Sequence, residues 1–107
     1  MTKPIFRRRR HDDAARYTVY VMWLVGYSQR AIALALGMRT KQAAGIIENS
    51  EYRDRAAMSD GDRETRLAEL EAIRLGDDGT KLDGGILDRI GFAVRPLAGR
   101  QSRTGLK

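Results

Sequence analysis

Arg39, Thr40, Lys41 and Gln42 are four consecutive residues that each carry a hydrogen-bonding side chain, and the small residues Ala43, Ala44 and Gly45 follow them. Thr40 can cap a helix, and the run to about Ser50 reads as a short one. The start of a helix is its positive end, where backbone amides and cationic side chains can both approach a phosphate or a base edge. The side chains suit that chemistry one by one. Gln42 can pair with adenine through two hydrogen bonds, Arg39 or Lys41 can address guanine or a phosphate, and Ala44 can touch a thymine methyl. Ala44 and Gly45 would let such a helix approach closely, although a helical glycine costs about 1 kcal/mol relative to alanine. Close helix packing inside the protein is the competing explanation of Gly45.

Ser28, Gln29 and Arg30 lie just upstream. They could contact phosphates, which sets register without reading sequence. Arg7, Arg8, Arg9 and Arg10 form a cationic run near the amino end. They could enter a narrow minor groove, act as a non-specific phosphate clamp, or only keep the chain soluble.

Little else is equipped for chemistry. His11 is the sole histidine and there is no cysteine. That combination removes a histidine metal site, a histidine-based triad, a thiol nucleophile and any disulfide or cysteine-bound metal. Residues 76 to 85 hold four glycines and three aspartates. They lack the closing bidentate glutamate of an EF-hand loop. No catalysis, metal or cofactor is expected.

Charge points the same way. The chain carries +6, with 11 Lys and Arg against 5 Asp and Glu in residues 1 to 58. Residues 59 to 94 hold 5 basic and 9 acidic residues, and residues 95 to 107 hold 4 basic and no acidic ones. A cationic half attracts phosphate, whereas the acidic middle would be repelled and should face elsewhere. A solvated basic surface is the plain alternative. At 107 residues the chain allows one small domain with arms, too little for a large catalytic cleft. The apolar stretch from Tyr17 to Tyr27 is shorter than the roughly 20 residues that cross a membrane. Asp12, Asp13 and Arg16 interrupt any signal-peptide pattern, so a cytoplasmic protein without membrane contact is expected.

An all-α chain is needed to position these groups. Pro4 opposes early helix and the four arginines repel one another, so residues 1 to 11 read as a basic arm. Asp12 or Asp13 can cap a first helix that runs to about Val25, where Gly26 ends it. Ser28 caps a second over Gln29 to Leu36, and Gly37, Met38 and Arg39 lead to the third. Residues 51 to 62 read as a linker or a loosely continued helix that ends in a new cap. A fourth helix spans about Arg63 to Leu75, with Leu67, Ala68, Leu70, Ala72 and Ile73 on its apolar face. A tight turn near Asp83 and Gly84 comes next. Ile86, Ile90, Ala93, Val94 and Leu97 then suit a final short helix stopped near Pro96, with a hairpin over residues 80 to 90 as the alternative.

The first helix is apolar on two sides. Tyr17, Tyr20, Val21 and Leu24 make one stripe, while Val19, Met22 and Trp23 occupy the other side. Such a helix is buried on more than one side. It meets either the carboxyl-terminal helices or a second copy, in which case Val19, Met22 and Trp23 would form a self-association face.

Within Gln29 to Glu48, small and glycine residues stand where two short helices must cross. Ala33 leaves room at the crossing, Gly37 supplies a positive φ for the turn, and Ile32, Leu36, Met38 and Ile46 face a common core. The segment resembles the helix-turn-helix superfamily, which includes phage regulators and the promoter-reading domain of sigma factors. The likeness covers about 20 residues, or about 35 with the first helix. Ala43 departs from it, since a branched aliphatic residue is usual there, and so does the interior Gly45.

The resemblance implies a DNA-binding domain at residues 12 to 58, with helix 40–48 in the major groove of double-stranded DNA and helix 29–36 across the backbone. Residues 59 to 97 would then be an acidic helical segment for packing or oligomerisation, and residues 98 to 107 a basic tail. The implied function is sequence-specific transcriptional regulation of phage or mobile-element type, with a homodimer on a palindrome or a higher oligomer as the assembly it would allow. It would act by occluding a promoter or by contacting RNA polymerase. Two alternatives share the layout. One is a small terminase-like subunit that recognises DNA for phage packaging, and the other is a helix-turn-helix derivative that binds a protein as an antiactivator or inhibitor.

Overall fold

Two short helices follow one long one within the first half of the chain. The computed structural model describes the backbone of residues 3 to 97 and the side chains of residues 14 to 97. Its α-helices are α1 (Lys3–Val25), α2 (Gln29–Leu36), α3 (Thr40–Glu48) and α4 (Asp60–Ala72), with 3-10 turns at Arg55–Ala57 and Ile86–Asp88. Among the described residues the only β pairing is one isolated antiparallel bridge between Leu75 and Lys81. The protein is all-α, as expected.

The helix α1 begins at Lys3, which corrects the expected start after Asp12 or Asp13. Pro4 falls in its first turn, where the missing N–H has no intrahelical acceptor to lose. The side chains of Arg7, Arg8, Arg9 and Arg10 lie outside the described residues, as does the tail at 98 to 107.

From Tyr17 onward α1 is the hub of the core. Tyr17, Val19, Val21, Met22, Leu24 and Val25 are all buried, and α2, α3 and α4 each pack against this helix. Its two apolar sides are therefore covered by the same chain. Val19 is 0% and Met22 2% exposed, while the partly buried Trp23 donates its indole N–H to the Tyr52 carbonyl at 2.7 Å. The proposed self-association face at Val19, Met22 and Trp23 is thus corrected. Val19 and Met22 are interior to one chain because three helices share α1, and the partly buried Trp23 lies under Arg55.

Two arginines finish α1. The last carbonyls of a helix lack intrahelical donors and sit at its negative end, which suits a cationic donor. Arg63, fully buried, donates from Nε to the Leu24 carbonyl at 2.9 Å and from Nη2 to those of Val25 at 2.9 Å and Arg95 at 3.0 Å. Arg55 donates from Nη1 to the carbonyls of Trp23 and Tyr27, both at 2.6 Å, and lies 3.5 Å over the Trp23 ring. Burial, and after it the neighbouring Arg63, lowers the Arg55 guanidinium to about 10, so it stays charged at neutral pH. Gly26 closes the turn at φ +133°, where a Cβ would stand 3.2 Å from the Arg95 carbonyl oxygen and 3.3 Å from Arg63 Nη2.

The helix α4 starts three residues earlier than expected. Ser59 Oγ accepts from the Asp62 amide at 3.0 Å, and Asp60 and Asp62 complement the positive end. Its buried residues are Arg63, Leu67 and Leu70, one helical stripe. Ala68, Ala72 and Ile73 face outward, contrary to the expected apolar face. The helix ends at Ala72, after which Leu75 pairs with Lys81.

The expected final helix is absent. Only the 3-10 turn Ile86–Asp88 forms, and Gly91 at φ +78° prevents its extension toward Pro96. Asp83 organises this region instead. It is 5% exposed, and its carboxylate accepts from Arg74 Nε at 2.6 Å and Nη2 at 3.1 Å and from the amides of Gly85 at 3.1 Å and Leu87 at 2.7 Å. Arg74 also reaches Asp88 at 2.8 Å, and Lys81 holds the other Asp88 oxygen at 2.8 Å. Burial pushes the Asp83 carboxyl up, but the hydrogen bonds from Arg74 and the Leu87 amide outweigh it and hold the group below the usual carboxylate range.

Candidate nucleic-acid interface

The helices α2 and α3 are built from local signals. Ser28 Oγ accepts from the Ala31 amide at 3.0 Å, which satisfies one of the free amides of the first turn. Gly37 ends α2 in the left-handed region at φ +67°, and the Met38 amide turns back to the Ala33 carbonyl at 2.9 Å. Three residues, Gly37 to Arg39, join the helices. Ile32 and Ala33 of α2 and Ala43 and Ile47 of α3 are buried, while Leu36, Met38 and Ile46 pack around them partly exposed. Ile47 thus goes deeper than Ile46, and Ala43 is wholly enclosed.

The cap of α3 differs from expectation. Arg39 is the N-cap residue, in extended conformation, and Thr40 is already helical. The Arg39 side chain has no acceptor, so the capping interaction runs the other way. Gln42 Oε1 accepts from the Arg39 amide at 3.2 Å. Reach explains this, since a glutamine at the third helical position can fold back to the cap residue's N–H.

The expected contact residues divide by exposure. Arg39, Thr40, Lys41 and Gln42 are exposed, as are Ser28 and Arg30, while Gln29, Ala44 and Gly45 are partly exposed. Among the described residues Arg30, Arg39 and Lys41 take part in no ion pair. Arg55, counted from sequence among the cations of this half, is instead spent on the end of α1.

Gly45 has no internal cause. A Cβ built there meets nothing within 4 Å, and its φ is not in the positive range. Close packing within the chain therefore does not account for it. Sequence reasoning also passed over Leu34, which follows the buried Ala33 and is 84% exposed on α2. The signal was available, because Leu34 lies off the stripe formed by Ile32, Ala33 and Leu36. A shallow groove elsewhere on the surface is lined by Ala35, Gly84, Gly85, Ile86, Arg89 and Ile90.

Among the described residues no group of three or more His, Asp or Glu side chains could hold a metal ion. No helix among them is long and apolar enough to cross a membrane. No protein-family model, curated protein or solved structure matches the chain.

Proposed function

We propose that this protein is a non-enzymatic, sequence-specific regulator of transcription that binds double-stranded DNA through α2 and α3. It is of phage or mobile-element type, works in the cytoplasm and uses no cofactor. The helix α3 enters the major groove with Arg39, Lys41 and the surface around Ala44 and Gly45 toward the bases. Ser28, Gln29 and Arg30 hold phosphates from the start of α2.

Gly45 carries the reading. A mid-helix glycine lowers stability and nothing inside the chain requires one here, whereas close approach of an outside surface does. The exposed cations of the same helix pair, without acidic partners among the described residues, make a phosphate-bearing surface the fitting one. Two copies on a palindromic site would meet through a face other than Val19 and Met22, which are core.

Leu34 favours a second reading, in which the helix pair binds a protein as an inhibitor, since an apolar side chain 84% exposed suits a protein partner better than a phosphate backbone. Selection of duplexes from a random-sequence DNA pool at near-physiological salt separates the two. Enrichment of one motif, lost in a Lys41→Ala, Arg39→Ala double variant, is the expected outcome. Retention without enrichment would sink base readout, and no retention would transfer the weight to a protein partner.

A further inference from the structure

We infer that the protein associates with a second copy of itself, the outward face of α2 in one copy seating Leu34 in an acidic cleft at the end of α4 in the other. Exposed apolar side chains point to a partner where they gather beside polar groups of one sign. Among the described residues the exposed large aliphatics are Leu34, Ile73, Leu75 and Ile86, and the first three fall into two patches of opposite charge.

The α2 patch is cationic. Arg30, Ala31, Leu34 and Ala35 share one side of the helix by their spacing, and none of the four is buried. Arg30 takes part in no ion pair, and no aspartate or glutamate occurs from Ala14 to Ile47. The α4 patch is acidic. Ile73 and Leu82 line a cleft together with Asp77 and Asp78, and Leu75 stands exposed two residues after Ile73. Arg74 also lines the cleft, but its guanidinium is committed to Asp83 and Asp88, while Asp77 takes part in no ion pair.

Like charges set against each other oppose association, so neither patch suits its own counterpart in a second copy. Each suits the other. One contact would cover Leu34 and Ile73 together, with Arg30 brought to the Asp77 side. Two copies can exchange both contacts and close as a dimer, or the contact can repeat along a ring or filament. Arg30 also belongs to the phosphate contacts proposed above, so on that reading a copy seated on α2 and a DNA duplex exclude one another.

Sedimentation without DNA tests the contact, and its outcome is therefore separate from that of the duplex selection. The samples are wild type, Leu34→Glu, Ile73→Glu and an equal mixture of the two variants, with melting curves to show that each is folded. The wild-type mass should rise with concentration toward about 1 mM, and the rise should shrink as salt goes from about 0.05 to 0.5 M. Each variant alone should associate at least about tenfold more weakly. The mixture should regain association as a 1:1 pair, because Leu34→Glu keeps its cleft, Ile73→Glu keeps its leucine, and the two altered faces, both acidic, repel each other. A wild type that stays monomeric at every concentration overturns the inference and leaves the patches to a different protein. So does a variant that associates as wild type does, or a mixture no heavier than its components.

Discussion

Gly45 occupies the interior of α3 with open space where a Cβ would be. Alanine there gains helix propensity of up to about 1 kcal/mol without a clash. Gly45→Ala should therefore raise the melting temperature, by up to roughly 4–8 °C for a domain of this size. The added methyl would also stand between α3 and anything pressed against it, so on the proposed DNA-binding reading affinity should fall on the order of tenfold, or about 1.4 kcal/mol. Calorimetry and a binding titration on the same variant check both halves. Higher stability with unchanged affinity would mean that nothing approaches α3 closely at this residue.

Arg63 shows what an element costs to terminate. Its guanidinium serves three carbonyls, of Leu24, Val25 and Arg95, and so ties the end of α1 to α4 and to the last described segment. Arg63→Ala would leave the Leu24 carbonyl without this donor and the Val25 carbonyl with only the Arg95 amide at 2.8 Å, and since a buried acceptor left unmet costs about 1–3 kcal/mol, a loss of about that size is expected in urea unfolding. Arg63→Lys should restore only part, because one ammonium cannot span three acceptors held in a planar fork. Full rescue by lysine would show that charge alone, not geometry, closes α1. The spacing of Arg63, Leu67 and Leu70 as one buried stripe was hidden in the sequence, where an arginine in that register reads as solvent-facing. Ser28, Ser59 and Gly37 were more legible, since each acts within its own turn.

At the scale of the molecule, two buried hydrogen-bonded groups make stability depend on pH at both extremes. Tyr17 donates its hydroxyl to the Leu70 carbonyl at 2.6 Å, joining α1 to α4. Burial, and after it the Asp83 charge, raises the Tyr17 hydroxyl to about 12 from an ordinary 10.0. Its folded form is therefore favoured while neutral, and that contribution is complete below 10 and lost as the pH rises through about 12. Asp83 has the opposite sign. Its carboxyl is held below the ordinary 3.8, so its contribution is present above that value and lost as the pH falls through the depressed one. Denaturant unfolding across pH should show both limbs, with Tyr17→Phe flattening the alkaline one and Asp83→Asn the acid one. An alkaline limb unchanged in Tyr17→Phe would mean that other groups set it.

The sequence by itself determined the all-α class, the bounds of α2 and the end of α1 at Val25, and it placed α3 to within about two residues. A serine cap, a glycine at positive φ and an apolar spacing are local causes, and their effects lie within a few residues of them. Tertiary structure alone decided that both apolar sides of α1 are consumed inside one chain and that Arg55 and Arg63 close that helix. It also decided that Asp83 and Arg74 stand in place of the expected last helix. Each of these depends on residues tens of positions apart, or on which competing partner a side chain reaches first, and neither local propensity nor periodicity carries that information.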